Sequence, residues 1–440
     1  MNKDARKPIT AAIHNLGCKV NAYESEAMRA LLEKEGFTIV PFSSRADVYV
    51  VNTCTVTNTA DQKSRQMLHR ARAKNPAAIV AAVGCYVQTH ADSLADDPAV
   101  DLLIGTNEKH RLPDMIRARL AEPDAPAEAL SDLSHPVEYE ELCTGVIPHR
   151  TRAFLKIQDG CDQFCSYCAI PLARGRIRSR DGGEIVREAS RLVESGLKEI
   201  VLTGIHVSSY GRDLGQDSGQ ALAELIRDLD ELPGLERIRL SSLEPGIMTE
   251  DVVRSLAKIP SVCPHFHLSL QSGCDATLQR MNRHYTGEEY VQACARIREH
   301  FKDPTFTTDV IVGFPGESED EFEDSCRLIK RIGFYRLHVF KYSRRDGTRA
   351  AAMKGQISET VKQERSRRLL ALSRQGQLAF EKALIGREEE VLIEERTQEG
   401  WTGHTRGYVK VLAEGDDHEP NQTVRGIVCK NGKDRLIISC

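Results

Sequence analysis

The sequence predicts an α/β protein in three parts: an N-terminal parallel α/β domain, a central partial (β/α)6 barrel and a small C-terminal antiparallel β-barrel. Three observations predict it. From Thr10 to about Leu120, short apolar runs (ITAAIHNLG, ADVYVVNT, AAIVAAVG, DLLIG) alternate with helix-like stretches such as NAYESEAMRALLEKEGF. Six further runs, AFLKIQ, KEIVLTG, RIRLSS, HFHLSLQ, TTDVIVGF and RLHVFKYS, then begin about thirty to forty-five residues apart. That is the length of a strand, a crossover helix and their loops. From Gly386, runs rich in Val, Ile and Thr (EEEVLIEER, TGHTRGYVKVLAE, TVRGIVCK, RLIIS) are punctuated by Gly, Asn and Asp, as short antiparallel strands are.

The domains are expected at 8–120, 147–378 and 379–440. Residues 121–146 form a linker rich in Pro and acids, with one strand near Val137. Six βα units fall short of the eight of a closed barrel. Ser318 with Glu321 makes a capping box ahead of a helix over Phe322–Ile332. The basic stretch TVKQERSRRLLALSRQGQLAFEKAL reads as a further helix.

The chain has 440 residues, with 60 Lys+Arg against 64 Asp+Glu and a formal charge of −4. Bulk basicity therefore gives no argument for nucleic-acid binding, and any such surface must be local. No run approaches the ~20 apolar residues of a membrane span, and MNKDARKPIT carries no apolar signal segment. A cytoplasmic protein without a membrane partner is the expectation. Thirteen Cys, an odd number, then argue for reduced thiols or metal ligands rather than a disulfide framework.

Cys161, Cys165 and Cys168 lie in DGCDQFCSYCAIP directly after the first strand of the central region. Three thiolates so spaced can converge on one metal centre. A structural zinc site wants four protein ligands, and no further Cys or any His lies between Arg150 and Gly204. Three thiolates with nothing in fourth place fit a [4Fe–4S] cluster whose remaining iron is open; zinc with a distant fourth ligand is the rival. Cys18, Cys54 and Cys85 look scattered, yet each follows a strand: IHNLGC, VVNTC and AAVGC. Strand ends of a parallel sheet share one edge, so these thiols can meet. One Cys there would read as a buried thiol; three in one register can form a second centre. The candidate fourth strand, DLLIG, ends without a Cys. Cys143, Cys263, Cys274, Cys294, Cys326, Cys429 and Cys440 show no ligand spacing and read as core or surface thiols.

The three-cysteine loop, with Tyr167 before its last Cys, resembles that of the radical S-adenosylmethionine (SAM) enzymes. Across nearly the whole chain the motifs NLGCKVNAYES, NTCTVT, VGCYVQ, CDQFCSYCAIPLARGRIRSR, LTGIHVSSYGRD, SSLEP, LSLQSG, TDVIVGFPGE and YSRRDGT occur in order. Together they resemble the radical SAM methylthiotransferases, whose layout is a cluster domain, a radical SAM domain and an RNA-binding TRAM domain. LGCKVN with TGIHVSSYGRD looks like the MtaB type, which converts N6-threonylcarbamoyladenosine beside the tRNA anticodon to its 2-methylthio derivative. The resemblance implies two [4Fe–4S] clusters, SAM, a tRNA substrate, an electron donor and no role for DNA. Cys161, Cys165 and Cys168 would hold the cluster that cleaves SAM, giving the radical that removes hydrogen from adenine C2. Cys18, Cys54 and Cys85 would hold the cluster that carries the sulfur. The alternatives are an isopentenyladenosine or ribosomal-protein substrate, or a non-catalytic metal-containing RNA-binding module.

Within that resemblance, Gly182-Gly183-Glu184 imitates the SAM-binding GGE segment but precedes its strand. Asp181 followed by Glu184 reads instead as a helix start. The positional match is Thr203-Gly204, and Ser242, Glu244, Gln271 and Ser272 are further strand-end candidates for SAM. For RNA, Arg174, Arg176, Arg178 and Arg180 alternate and, if extended, present four guanidinium groups on one face. Salt bridges to local acids compete with that reading. Lys63 to Lys74 is a second basic stretch, and Lys362, Arg365, Arg367 and Arg368 form a third. The segment from Gly386 holds 8 Lys+Arg against 11 Asp+Glu, so a local patch of Arg406, Lys410 and Arg425 would have to serve there.

Overall fold

A computed structural model describes residues 8–145, 151–415, 417–430 and 436–439. Cys440 and the expected boundary at 146/147 lie outside the described residues. The chain forms two compact units. One comprises the described residues of Met1–Gly145 with Gln158–Arg180 and Ser343–Thr348; the other comprises those of Val146–Ile157, Asp181–Tyr342 and Arg349–Cys440.

In the first unit, β1 (Thr10–Asn15), β2 (Thr38–Ile39), β3 (Val48–Thr53), β4 (Ile79–Gly84), β5 (Leu102–Ile104) and β6 (Glu128–Ala129) form one sheet. Its order is β2-β1-β3-β4-β5-β6, and every pair is parallel. Successive residues of β3 face opposite sides of the sheet. Val48 and Val50 pack with Met28 and Leu32 of helix Lys19–Lys34, whereas Tyr49 and Val51 pack with Leu68 and Ala71 of helix Asn58–Lys74. Burial on both faces explains why these strands read as unbroken apolar runs. The strand expected near Val137 is absent; the linker instead adds β6, whose Glu128 and Ala129 pair with Leu103 and Ile104.

β7 (Arg152–Asp159) begins in the second unit and ends in the first, where Gln158 and Asp159 pair antiparallel with Ser179 and Arg178 of β8 (Arg178–Ser179). The second unit continues with β9 (Glu199–Gly204), β10 (Arg237–Leu240), β11 (His265–His267), β12 (Thr305–Val312) and β13 (Arg336–Lys341). β7, β9 and β10 are neighbours, as are β11, β12 and β13, and single parallel bridges at Ile238–Val262 and Leu243–Leu268 join the two sets. The six expected strands thus form an open (β/α)6 arc around one apolar core that includes Leu155, Ile200, Ile238, Phe266, Val310 and Leu337. The Ser318–Glu321 capping box is present, and its helix spans Glu319–Ile332. Helix Glu359–Leu384 leads to β14 (Glu388–Thr397), β15 (Gly400–Thr405), β16 (Lys410–Ala413), β17 (Thr423–Lys430) and β18 (Leu436–Ser439). These close a barrel in the order β14-β15-β16-β18-β17. It is antiparallel except for β16 with β18, which run parallel. Among the described residues, no helix is long and apolar enough to cross a membrane.

Candidate functional site

The first-unit sheet brings Cys18, Cys54 and Cys85 to one edge. Cys18 caps helix Lys19–Lys34 just past β1, Cys54 directly follows β3, and Cys85 follows β4 and opens helix Cys85–Ala95. β1, β3 and β4 are consecutive in the sheet, so the three strand ends are neighbours. Backbone geometry at the edge is tight. Gly17 has φ +106°, and a Cβ there would lie 2.9 Å from both Cβ and Sγ of Cys54; only glycine fits. Asn21 Nδ2 donates to the carbonyls of Leu16 (2.7 Å) and Thr53 (2.9 Å), tying the ends of β1 and β3 together. Thr53 Oγ1 donates to Val83 O (2.6 Å), tying β3 to β4. Past β5 there is no thiol: Thr106 Oγ1 donates to Ala173 O at 2.8 Å.

Cys54 and Cys85 are buried and Cys18 is exposed, so the edge opens on one side. Burial pushes the Cys54 thiol up, with Cys18 adding to it, and pushes the Cys85 thiol up to about 12 against the pull of Arg174, with Cys18 and Cys54 adding to it. A thiol so placed stays protonated in the metal-free protein, and binding a metal ion releases its proton.

Cys161, Cys165 and Cys168 are half-buried on the loop between β7 and helix Ile170–Arg174. The loop is closed at its base. Cys161 N donates to Gly175 O (3.1 Å), Gly160 N donates to Asp159 Oδ1 (2.8 Å), and Cys168 N donates to Cys165 O (3.0 Å) within it. Gly160, at φ +68°, sits where a Cβ would collide with the Arg176 carbonyl.

Both trios offer donors that fit an iron–sulfur cube. Tetrahedral zinc, with bonds of ~2.3 Å, draws its sulfurs to about 3.8 Å from one another. Among the described residues, the one set of His, Cys, Asp or Glu side chains whose ligand atoms all lie within 4.8 Å is Glu250, Glu299 and His300. Glu250 and His300 of that set are engaged in ion pairs: His300 and Arg254 meet Glu250 at 2.7 and 2.8 Å. The donor sets of both trios are all-sulfur, as cubane clusters take.

The SAM candidates lie at strand ends of the second unit. Thr203 and Gly204 end β9, Ser242 and Glu244 follow β10, and Gln271 bridges to Val310 of β12 with φ +62°. Ser272 is buried against Ser325, hydroxyl to hydroxyl at 3.2 Å. Glu244 gains partners that spacing did not foretell: Arg283 Nη2 at 2.6 Å and His206 Nε2 at 3.2 Å, while its amide donates to Ser208 Oγ (2.8 Å). Burial pushes the Glu244 carboxyl up, but the bond from His206 and the charge of Arg283 outweigh it and hold it down to about 2. Gly182-Gly183-Glu184 opens helix Gly182–Glu194, with Asp181 Oδ1 accepting from Glu184 N (3.0 Å), as the sequence predicts.

The arginine strip does not form. Arg174 ends a helix, and Gly175 follows at φ +70°, so alternation in sequence does not become alternation along a strand. Arg174, Arg178 and Arg180 are buried; only Arg176 is exposed, its guanidinium 4.6 Å from the Phe164 ring centroid. Arg180 is engaged by Glu141 (2.6 Å), and Arg178 lies 3.6 Å from Asp159. Of the other basic candidates, Lys362 is buried and bonds Glu359 (2.8 Å), and Arg365 is buried on Glu317 (2.7 Å). Arg368 meets Glu319 at 2.7 Å, and Arg406 donates to the carbonyls of Glu236 and Val262 (3.3 and 3.1 Å). Arg367, Lys410 and Arg425 stay exposed. In helix Asn58–Lys74, Lys63 and Arg70 stay exposed while Arg72 donates to Ala78 O at 2.7 Å.

Comparison with known proteins decides the family. Residues 155–329 match the radical SAM superfamily and residues 10–105 the uncharacterized protein family UPF0004. The threonylcarbamoyladenosine tRNA methylthiotransferase MtaB of Bacillus subtilis is 42% identical, over 96% of this chain and 94% of that protein. The chain belongs to the radical SAM methylthiotransferase family, on the MtaB branch. A tRNA-2-methylthio-N(6)-dimethylallyladenosine synthase of Syntrophus aciditrophicus is 36% identical over 87% of this chain and 83% of that protein. Among solved structures, the radical SAM methyltransferase TsrM of Kitasatospora setae has the same fold: TM-score 0.57, 16% identity, 76% of this chain and 75% of that one. Membership makes the chain a radical SAM methylthiotransferase, an enzyme that works with SAM and a [4Fe–4S] cluster.

Proposed function

We propose that this enzyme methylthiolates C2 of N6-threonylcarbamoyladenosine beside the anticodon of tRNA, using two [4Fe–4S] clusters. Cys161, Cys165 and Cys168 hold one, and Cys18, Cys54 and Cys85 the other. The observation that carries the second cluster is the shared edge of β1, β3 and β4, which places three thiols at neighbouring strand ends beside β5, whose end supplies none. The nucleoside is supported by the greater identity to the MtaB relative than to the dimethylallyladenosine synthase, 42% against 36%.

When bound, the cluster of the Cys161 loop supplies the electron that cleaves a carbon–sulfur bond of SAM, and with it the radical that an unactivated aromatic C–H demands. Thr203, Gly204, Ser242, Glu244 and Gln271 bind SAM at the strand ends. Glu244, kept ionised by Arg283 and His206, accepts from the donors of that molecule. The stapled base of the cysteine loop keeps three thiols in register. Exposed Arg176, Arg367, Lys410 and Arg425 offer phosphate contacts to RNA. An electron donor completes the reaction, which takes place in the cytoplasm.

Nucleoside mass spectrometry of tRNA from cells with and without this protein tests the proposal. Loss of 2-methylthio-N6-threonylcarbamoyladenosine on deletion supports it. An unchanged level, or loss of the isopentenyl derivative instead, refutes the assigned substrate.

A further inference from the structure

Arg174 belongs by sequence to the Cys161 loop but points at the other cysteine site. It is fully buried, and each of its five N–H groups has an acceptor. Nε donates to Cys85 Sγ (3.2 Å), Nη1 to Glu24 Oε1 (2.8 Å) and Asp159 (3.0 and 3.1 Å), and Nη2 to Asn21 Oδ1 (2.8 Å) and Glu24 Oε2 (3.0 Å). Glu24 grips the Nη edge in two places. A planar guanidinium so held has its Nε–H direction fixed, here toward the sulfur.

Other charges surround the group. Lys109 lies 3.4 Å from Glu24 and 3.5 Å from Glu140, and Arg178 lies 3.6 Å from Asp159. Arg174, Lys109 and Arg178 thus meet Glu24, Glu140 and Asp159, and His110 adds a further partner to Glu140 at 3.0 Å. A neutral thiol is a weak acceptor for a buried cationic N–H, whereas a metal-bound thiolate is a charged one.

We infer that Arg174 is a positioning residue for the cluster on Cys18, Cys54 and Cys85, bonding the Cys85 thiolate and raising that cluster's reduction potential. The inference rests on the proposal that those three residues hold a cluster. Hydrogen bonds and positive charge at a ligand sulfur stabilise the more negative, reduced state, so the electron is accepted more readily.

The test uses the full chain with Cys161→Ala, Cys165→Ala and Cys168→Ala, reconstituted anaerobically so that about four irons remain. Its midpoint potential and electron paramagnetic resonance spectrum are compared with those after adding Arg174→Gln or Arg174→Lys. The Gln variant should reduce at least tenfold less favourably, ~59 mV for one electron, and the Lys variant should fall between. If the Gln chain fails to fold or load iron, the Lys variant decides, since it keeps the charge and loses the Nε–H bond. Iron-loaded variants with the parent's potential and spectrum, even with a lower melting temperature, would overturn the inference. A parent that holds no iron at all refutes the second cluster itself, and the inference with it.

Discussion

Asp159, the last residue of β7, accepts from Arg174 Nη1 on both carboxylate oxygens, at 3.1 and 3.0 Å. One residue before the Cys161 loop is thereby joined to the residue that ends its exit helix, and the backbone pair Asp159–Arg178 seals the same base. The loop is held closed by its own buried ions.

Asp159→Asn should therefore destabilise the metal-free protein. Arg174 and Arg178 would be left short of a buried counter-charge, a loss of roughly 3–5 kcal/mol by the usual scale of such changes. Urea unfolding measures it, and iron retention at the Cys161 loop should fall in parallel.

The two cysteine sites should separate in turnover. Cys165→Ala is expected to abolish SAM cleavage, while Cys54→Ala spares cleavage and stops product formation. Chromatography of 5′-deoxyadenosine and modified nucleoside from the same reaction reads both. Methylthiolation by the Cys54→Ala protein would contradict the division.

Glu244 gives a signed pH dependence. Its carboxyl is held near pKa 2 in the folded chain against an ordinary 4.5. The stabilisation is thus fully present above about pH 4.5 and is lost as pH falls toward 2. The difference corresponds to about 3 kcal/mol. Glu244→Gln should flatten stability against pH in that window, measured by denaturant unfolding of the metal-free protein.

Exposure separates two basic residues of the C-terminal barrel. Lys410 is exposed, 3.8 Å from Glu395, whereas Arg406 is committed to backbone carbonyls of the barrel's neighbouring strands and loops. If RNA phosphates lie on this face, Lys410→Gln should weaken tRNA binding and reduce the slope of log affinity against log salt by about one. Arg406→Gln should act through stability instead, seen as a lower melting temperature.

Much of this was legible in the sequence because the periodicities are local. Val48–Thr53 and Ile79–Gly84 read as buried parallel strands, so Cys54 and Cys85 could be placed at a common edge before any coordinates. The capping box at Ser318 likewise marked a helix start. For Arg174 the competing reading, salt bridges to acids, is the one that holds, though most of its partners are not local. Its partners Asn21 and Glu24 lie 153 and 150 residues away, so no local spacing announces the burial. The alternation ARGRIRSR imitates a strand although a five-residue helix and a left-handed glycine interrupt it. β6 escaped notice because two residues carry no pattern, and the partners of Glu244 come from loops far apart in sequence.

Iron analysis with Mössbauer spectroscopy of anaerobically reconstituted protein tests the central claim most directly. Two three-thiolate sites predict about eight irons per chain as [4Fe–4S] clusters, falling to about four when Cys18, Cys54 and Cys85 are all replaced by Ala. About four irons in the unaltered chain, unchanged by that replacement, would contradict it.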